Sequence, residues 1–194
     1  MESIYGSRFS ELEDTMNYIV REIEAFRMKI RTDSDFDPIE HMAYRIKSEE
    51  SMREKLERKG LPQTCEAAIE AVHDAVGIRV VCSFLNDVYT IRDFLMNLPD
   101  CEVVEEKDYI RHAKKNGYRS YHIILRVHGG IYAEIQLRTI SQDTWAALEH
   151  HIHYKKEKTE MEKLISEELR RCADELASTD LSMQTIRDMI EKNM

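Results

Sequence analysis

SYHIILRVHGGIYAEIQLR, residues 120–138, holds two apolar runs on either side of a Gly129-Gly130 pair. A two-residue Gly-Gly connection is a hairpin turn, so the runs are expected to be antiparallel neighbours, strands over 120–127 and 131–138. Alternate residues of a strand share a face. Ile135 and Leu137 therefore point to a core, while Glu134, Gln136 and Arg138 form a polar line on the opposite face. An acid, an amide and a base in a row are costly if buried without partners, so this face should open on a ligand site.

Working outward, GIRVVCSF at 77–84 reads as a buried strand. A helix over 86–97, ended by Pro99, and a further strand over 102–110 lie between it and the hairpin. The sheet is consequently expected to be mixed. Residues 7–31 lack Pro and Gly, and Leu12, Met16, Ile19, Ile23 and Phe26 recur at steps of three or four, which predicts an amphipathic helix. Residues 33–38 read as a turn and 41–47 as a short strand. Ser48 then caps a helix that runs to Lys59 and stops at Gly60 and Pro62. On it Ser51, Lys55, Arg58 and Lys59 share one face. Beyond the hairpin, helices are expected over 140–155, 160–177 and 179–192.

The chain has 194 residues, 42% of them hydrophobic, enough for an unaided core in one domain with helical appendages. No run without acidic or basic residues exceeds seven residues, whereas a bilayer span needs about 20. The N-terminus lacks a basic segment followed by an apolar one, so no secretory signal and a cytoplasmic protein are expected. The four cysteines, Cys65, Cys82, Cys101 and Cys172, form no CxxC pair, which argues against a zinc site or a disulfide framework.

The formal net charge is -9, but it is unevenly placed. Residues 45–59 carry six basic against four acidic side chains, and residues 107–119 five against one. Two local basic segments in an acidic protein fit small polyanions better than a duplex, which wants a broad basic face. Asp74 lies just before the strand at 77–84, and with Glu134 it supplies two carboxylates from separate strands near phosphate-binding cations. That combination suits Mg²⁺, which takes one or two carboxylates plus phosphate oxygens. The segment KKNGYRSYH, 114–122, adds cations, a Gly turn and tyrosines able to stack on a base. Glu149, His150, His151 and His153 read as a polar helical face rather than a metal site, because only His150 and His153 have neighbour spacing.

Four stretches, RIKSEESMREKLERK (45–59), DAVGIRVVCSFLNDVY (74–89), KDYIRHAKKNGYRSYH (107–122) and EIQLRTISQDTWAALEHHIHYK (134–155), together resemble the synthetase domain of the RelA/SpoT family. The length leaves no room for hydrolase or C-terminal regulatory domains, so the expectation is a stand-alone small alarmone synthetase: helical segment 1–40, catalytic domain 41–155, C-terminal helices 156–194. The resemblance implies an α/β, nucleotidyltransferase-like fold, a mixed β-sheet flanked by helices with further helices at both ends. It implies a GTP pyrophosphokinase that moves the β,γ-pyrophosphate of ATP to the 3'-hydroxyl of GTP or GDP, releasing AMP, in stringent-response signalling. On the matching positions Arg45, Lys47, Ser51, Lys55, Arg58 and Arg79 would bind ATP, two arginines sandwiching adenine. Asp74 and Glu134 would hold Mg²⁺, with Glu134 also placed to take the 3'-hydroxyl proton. Tyr118 would stack on guanine, Lys114, His122, Gln136 and Arg138 would line the acceptor, and Asp143 would contact its base. A homotetramer is typical of small members, and (p)ppGpp or single-stranded RNA are the allosteric ligands to consider.

The resemblance departs at 112–116, His-Ala-Lys-Lys-Asn, where the family has an Asn-Pro-Lys-Pro-Asn-like stretch. Without the prolines the loop is expected to be more flexible before the acceptor binds, which bears on GTP against GDP preference. Two other readings use the same basic groove: a catalytically silent nucleotide or single-stranded RNA sensor, and a nucleotidyltransferase that releases pyrophosphate instead of AMP.

Overall fold

The computed structural model describes residues 3–33, 36–127, 130–152 and 160–193. Five strands form one sheet in the order β1-β2-β5-β4-β3: β1 (Ile39–Ile46), β2 (Val76–Cys82), β3 (Cys101–Asp108), β4 (Tyr121–Val127) and β5 (Tyr132–Thr139). β2 and β5 are parallel; the other neighbours are antiparallel. The mixed sheet follows from the two kinds of connection. The short link after Val127 allows only antiparallel pairing, whereas the path from β2 to β5 includes a helix and two strands, long enough for a parallel return. Gly129 of the expected turn lies outside the described residues, but Val127 N donates to Ile131 O at 2.9 Å and closes the hairpin.

One face of the sheet carries the core. Helix α1 (Phe9–Asp33) buries Leu12, Ile19 and Ile23 completely, and Phe26 stacks on Phe94 with ring centroids 4.2 Å apart. Phe94 belongs to α4 (Leu85–Met96), whose Val88, Ile91 and Leu95 are fully buried. Against these pack Val76, Val80, Ile135 and Leu137 from the two central strands. Each such side chain contributes roughly 1.5–3 kcal/mol when removed from water, which is why the helical stripe and the strand alternation find the same core.

Helix α2 (Glu49–Arg58) starts at Ser48, whose side chain accepts from Ser51 N at 3.3 Å, the expected cap. Helix α3 (Cys65–Glu70), capped by Thr64, was not anticipated: six residues are too few to show a helical period. After β5 come α5 (Ile140–Ile152) and α6 (Glu160–Glu191). The expected pair of tail helices is therefore corrected to one of 32 residues. The Ser-Thr-Asp run at 178–180 has low helix propensity, but Asp180 accepts a hydrogen bond from Thr139 Oγ1 at 2.6 Å and fixes the helix at that point.

Candidate active site

The strand register builds the floor of the site. Arg45 on β1 pairs with Gly77 on β2, and Gly77 with Glu134 on β5; one step along, Arg79 pairs with Gln136, and Gln136 with His122 on β4. Paired residues share a face, so four strands place these groups side by side. Gly77 puts no side chain between Arg45 and Glu134; a Cβ there would touch only Arg45 O, at 3.8 Å. The gap belongs to an open cleft of about 630 Å³ over the polar face, walled on one side by α5. Of the residues singled out in the sequence, Arg45, Lys47, Asp74, Arg79, Tyr118, Glu134, Gln136 and Arg138 line it.

Glu134 is the centre of a hydrogen-bonded ring. Arg138 Nη2 donates to Gln136 Oε1 at 2.8 Å, and Gln136 Nε2 donates to Glu134 Oε2 at 2.9 Å. Arg138 Nη2 also donates to Tyr118 Oη at 2.9 Å. Tyr118 Oη lies 2.9 Å from His122 Nε2, and His122 Nδ1 lies 3.3 Å from Glu134 Oε1. Arginine can only donate and a carboxylate can only accept, which fixes the two ends of the ring and the direction of the Gln136 arm. On the other arm His122 Nδ1 faces Glu134, and the Tyr118 hydroxyl and His122 Nε2 share one hydrogen bond whose direction follows the protonation of the imidazole. Both arms run from Arg138 to Glu134.

Burial pushes the Glu134 carboxyl up, but the bonds from His122 and Gln136 and the positive charges of His122 and Lys55 outweigh it and hold the group down to about 2. A carboxylate so held is fixed in its charged form. Asp74 sits at the other end of the cleft floor. Its Oδ2 accepts from Lys55 Nζ at 2.6 Å and has Lys47 Nζ at 3.3 Å, whereas its Oδ1 is buried without a partner. Arg79 Nε and Arg138 Nε are also buried without partners. Polar atoms left in this state are unfavourable unless something else meets them.

The remaining expected residues stand around this centre. Asp143 bridges Arg138 at 2.9 Å and Arg79 at 3.2 Å. Lys114 Nζ lies over the rings of Tyr109 and Tyr118, 4.4 and 4.7 Å from their centroids. Lys55 meets the site through Asp74. Ser51 and Arg58 are not among the residues lining the cleft; Ser51 Oγ accepts from Ser48 Oγ at 3.0 Å at the start of α2.

Sequence reasoning missed Tyr44, Ala146 and Ala147 as lining residues, and His150 and His151 reach the cleft edge as well. Small residues one helical step from a cleft carry no chemical signal of their own. His153 lies outside the described residues. Among the described residues no group of three or more His, Cys, Asp or Glu side chains could hold a metal unaided. The carboxylate pair would need phosphate oxygens to complete a shell.

A family model described as the region found in RelA / SpoT proteins matches residues 44–159. GTP pyrophosphokinase YwaC of Bacillus subtilis (strain 168) is 39% identical over 162 residues, 80% of this chain and 77% of that protein. Among solved structures, small alarmone synthetase 1 from Bacillus subtilis bound to its product pppGpp aligns with a TM-score of 0.78 and 30% identity, covering 92% of this chain and 94% of that one. The same enzyme bound to AMPCPP aligns with a TM-score of 0.72 and 27% identity over 93% and 94%.

Proposed function

The chain belongs to the RelA/SpoT family, and from that membership and the cleft we infer that it is a GTP pyrophosphokinase that makes (p)ppGpp. The reaction we propose moves the β,γ-pyrophosphate of ATP to the ribose 3'-hydroxyl of GTP or GDP and releases AMP. The observation that carries this reading is the meeting, in one cleft, of Arg45, Lys47 and Arg79 on one side and Tyr118, Gln136 and Arg138 on the other, with Asp74 and Glu134 on its floor. Relatives of this chain have been solved with AMPCPP and with pppGpp, which supports nucleotides on both sides.

In this reading Arg45, Lys47, Ser51, Lys55, Arg58 and Arg79 serve ATP. Like charges 4 Å apart repel by about 4 kcal/mol at an effective dielectric of about 20, so two polyphosphates cannot approach without such cations. Lys114, Tyr118, His122, Gln136, Arg138 and Asp143 serve the guanosine nucleotide, with the Tyr118 ring as the stacking surface.

Mg²⁺ fits the residues present. Asp74 Oδ1 is a buried carboxylate oxygen with no partner, and Glu134 is held ionised, so these two would be its protein ligands. Bound there, Mg²⁺ would neutralise phosphate charge and polarise the phosphoryl group under attack. Glu134 would orient the 3'-hydroxyl by accepting its hydrogen bond. As the final proton acceptor it is weak, because a group held near 2 gains little by taking a proton at neutral pH. Arg138 and His122 keep that carboxylate in place, and Lys55 and Lys47 do the same for Asp74.

The wider setting is also proposed: a cytoplasmic enzyme of the stringent response, supported by the absence of any described helix long and apolar enough to cross a membrane. A homotetramer is supported by the apolar side chains that α6 leaves exposed, including Met161, Leu164, Leu181 and Met189; a monomeric mass by light scattering at micromolar concentration would refute it. Incubation with ATP, GTP and Mg²⁺ followed by nucleotide separation tests the reaction. AMP and a 3'-pyrophosphorylated guanosine are expected. Pyrophosphate in place of AMP, or no product with any divalent metal, would overturn it. Titrating (p)ppGpp or single-stranded RNA into the initial rate tests both as regulators.

A further inference from the structure

The loop that carries Lys114 and Tyr118 is held from outside the catalytic sheet. Tyr109 N donates to Ser120 O at 3.0 Å and closes its base, and Gly117 N donates to Lys114 O at 2.8 Å to form its tight tip. Gly117 has φ of +93°, and a Cβ there would lie 2.8 Å from Ala173 Cβ and 3.2 Å from Arg170 Cα. The tip is thus pressed against the backbone of α6, in a conformation and at a distance that only glycine meets without strain. Arg119 Nη2 lies 2.9 Å from Asp174 Oδ1, and its Nη1 donates to Ala173 O at 3.4 Å and Gly117 O at 3.2 Å. Trp145, beside the Tyr118 ring, donates its indole N–H to Leu169 O at 2.7 Å.

Helix α6 is itself fastened to the rest of the fold. Beyond the Asp180–Thr139 bond, Gln184 Oε1 accepts from Asn86 N at 2.9 Å and Arg187 pairs with Asp87 at 2.6 Å. Residues 117 and 119 flank Tyr118, and both are fixed on α6, so the position of the Tyr118 ring in the cleft depends on that helix. Ala173 and Asp174 lie beyond the matched region, residues 44–159.

We propose that α6 positions the guanosine acceptor, with Arg119 and Asp174 as positioning residues acting through Tyr118. This inference rests on the assignment of Tyr118 to the acceptor in the proposed reaction. Asp174 is 56% exposed in its side chain, so its pairing adds little to stability. Its effect should appear in where the loop stands.

The test measures KM for GTP and for ATP separately in wild type, Asp174→Arg, Arg119→Asp and the exchanged double variant. Each single variant is expected to raise KM for GTP about five-fold or more, leave KM for ATP within two-fold, and keep the thermal midpoint near that of wild type. The exchanged pair restores the charge complement and is expected to recover most of the loss. Should Arg119→Asp fail to fold, Asp174→Arg and Asp174→Asn, on the exposed partner, carry the comparison. An unchanged KM for GTP, or equal shifts in both KM values, would overturn the proposal. So would an exchanged pair that folds but recovers nothing. A wild-type protein that makes no AMP would refute the proposed reaction instead, and the two failures are read from different samples.

Discussion

Arg138 reaches both oxygens of Glu134 by separate routes, one through Gln136 and one through Tyr118 and His122. The guanidinium can only donate and the carboxylate can only accept. The side chain assigned to stacking is thereby wired to the carboxylate assigned to the reacting hydroxyl.

That wiring separates two substitutions of Tyr118. Tyr118→Phe keeps the ring but opens one arm, so kcat is expected to fall about ten-fold with a small change in KM for GTP. Tyr118→Ala removes the stacking surface as well, and base stacking contributes about 1–3 kcal/mol; KM for GTP should rise by at least ten-fold. Initial rates at varied GTP with saturating ATP check both.

Asp74→Asn replaces the carboxylate whose second oxygen has no partner. Turnover is expected to drop at least about 10³-fold, the scale of losing a principal electrostatic element, while circular dichroism and the thermal midpoint report a folded protein. Chelation of divalent metal from wild type should give the same loss, and added Mg²⁺ should reverse it.

Glu134→Gln tests the ionisation. A carboxyl held at about 2 instead of its ordinary 4.5 contributes stability that is fully present above pH 4.5 and is lost as the pH falls toward 2. The difference is about 3 kcal/mol at most. Denaturant titrations from pH 6 to 2.5 should show wild type losing stability more steeply than the variant, with the two curves converging at the acid end. Parallel curves would remove Glu134 from its assigned environment.

Trp145→Phe removes the indole donor while filling most of the same space. Leu169 O then loses its side-chain partner, and a cost of about 1 kcal/mol is expected from urea unfolding.

Much of the fold was legible because its elements are long and its patterns clean. The stripe Leu12, Ile19 and Ile23 and the alternation of Glu134, Gln136 and Arg138 with Ile135 and Leu137 both survive in the structure. The Ser48 cap was readable because its chemistry is local. What escaped were features decided by distant partners. Nothing near residue 178 shows that the helix continues; the Asp180–Thr139 bond does that from across the fold. Within the site, residue types were readable but the ring was not, since it needs His122 and Gln136 to be paired across β4 and β5. The loop at 112–116, expected to be loose for want of prolines, finds its neighbours Gly117 and Arg119 docked on α6, a contact made by residues more than fifty positions away.

The parallel pairing of β2 with β5 also sets when in the life of a polypeptide the site can exist. Gly77 meets Glu134 only after β3 and β4 have been made and folded back, and non-local pairings of this kind form late. A growing chain on the ribosome that ends before β5 has Asp74 and its lysines but no Glu134. One that ends before α6 lacks the helix on which the Gly117 loop rests. Fragments that stop short of β5 should therefore be silent, since they hold only one of the two carboxylates proposed to bind the metal.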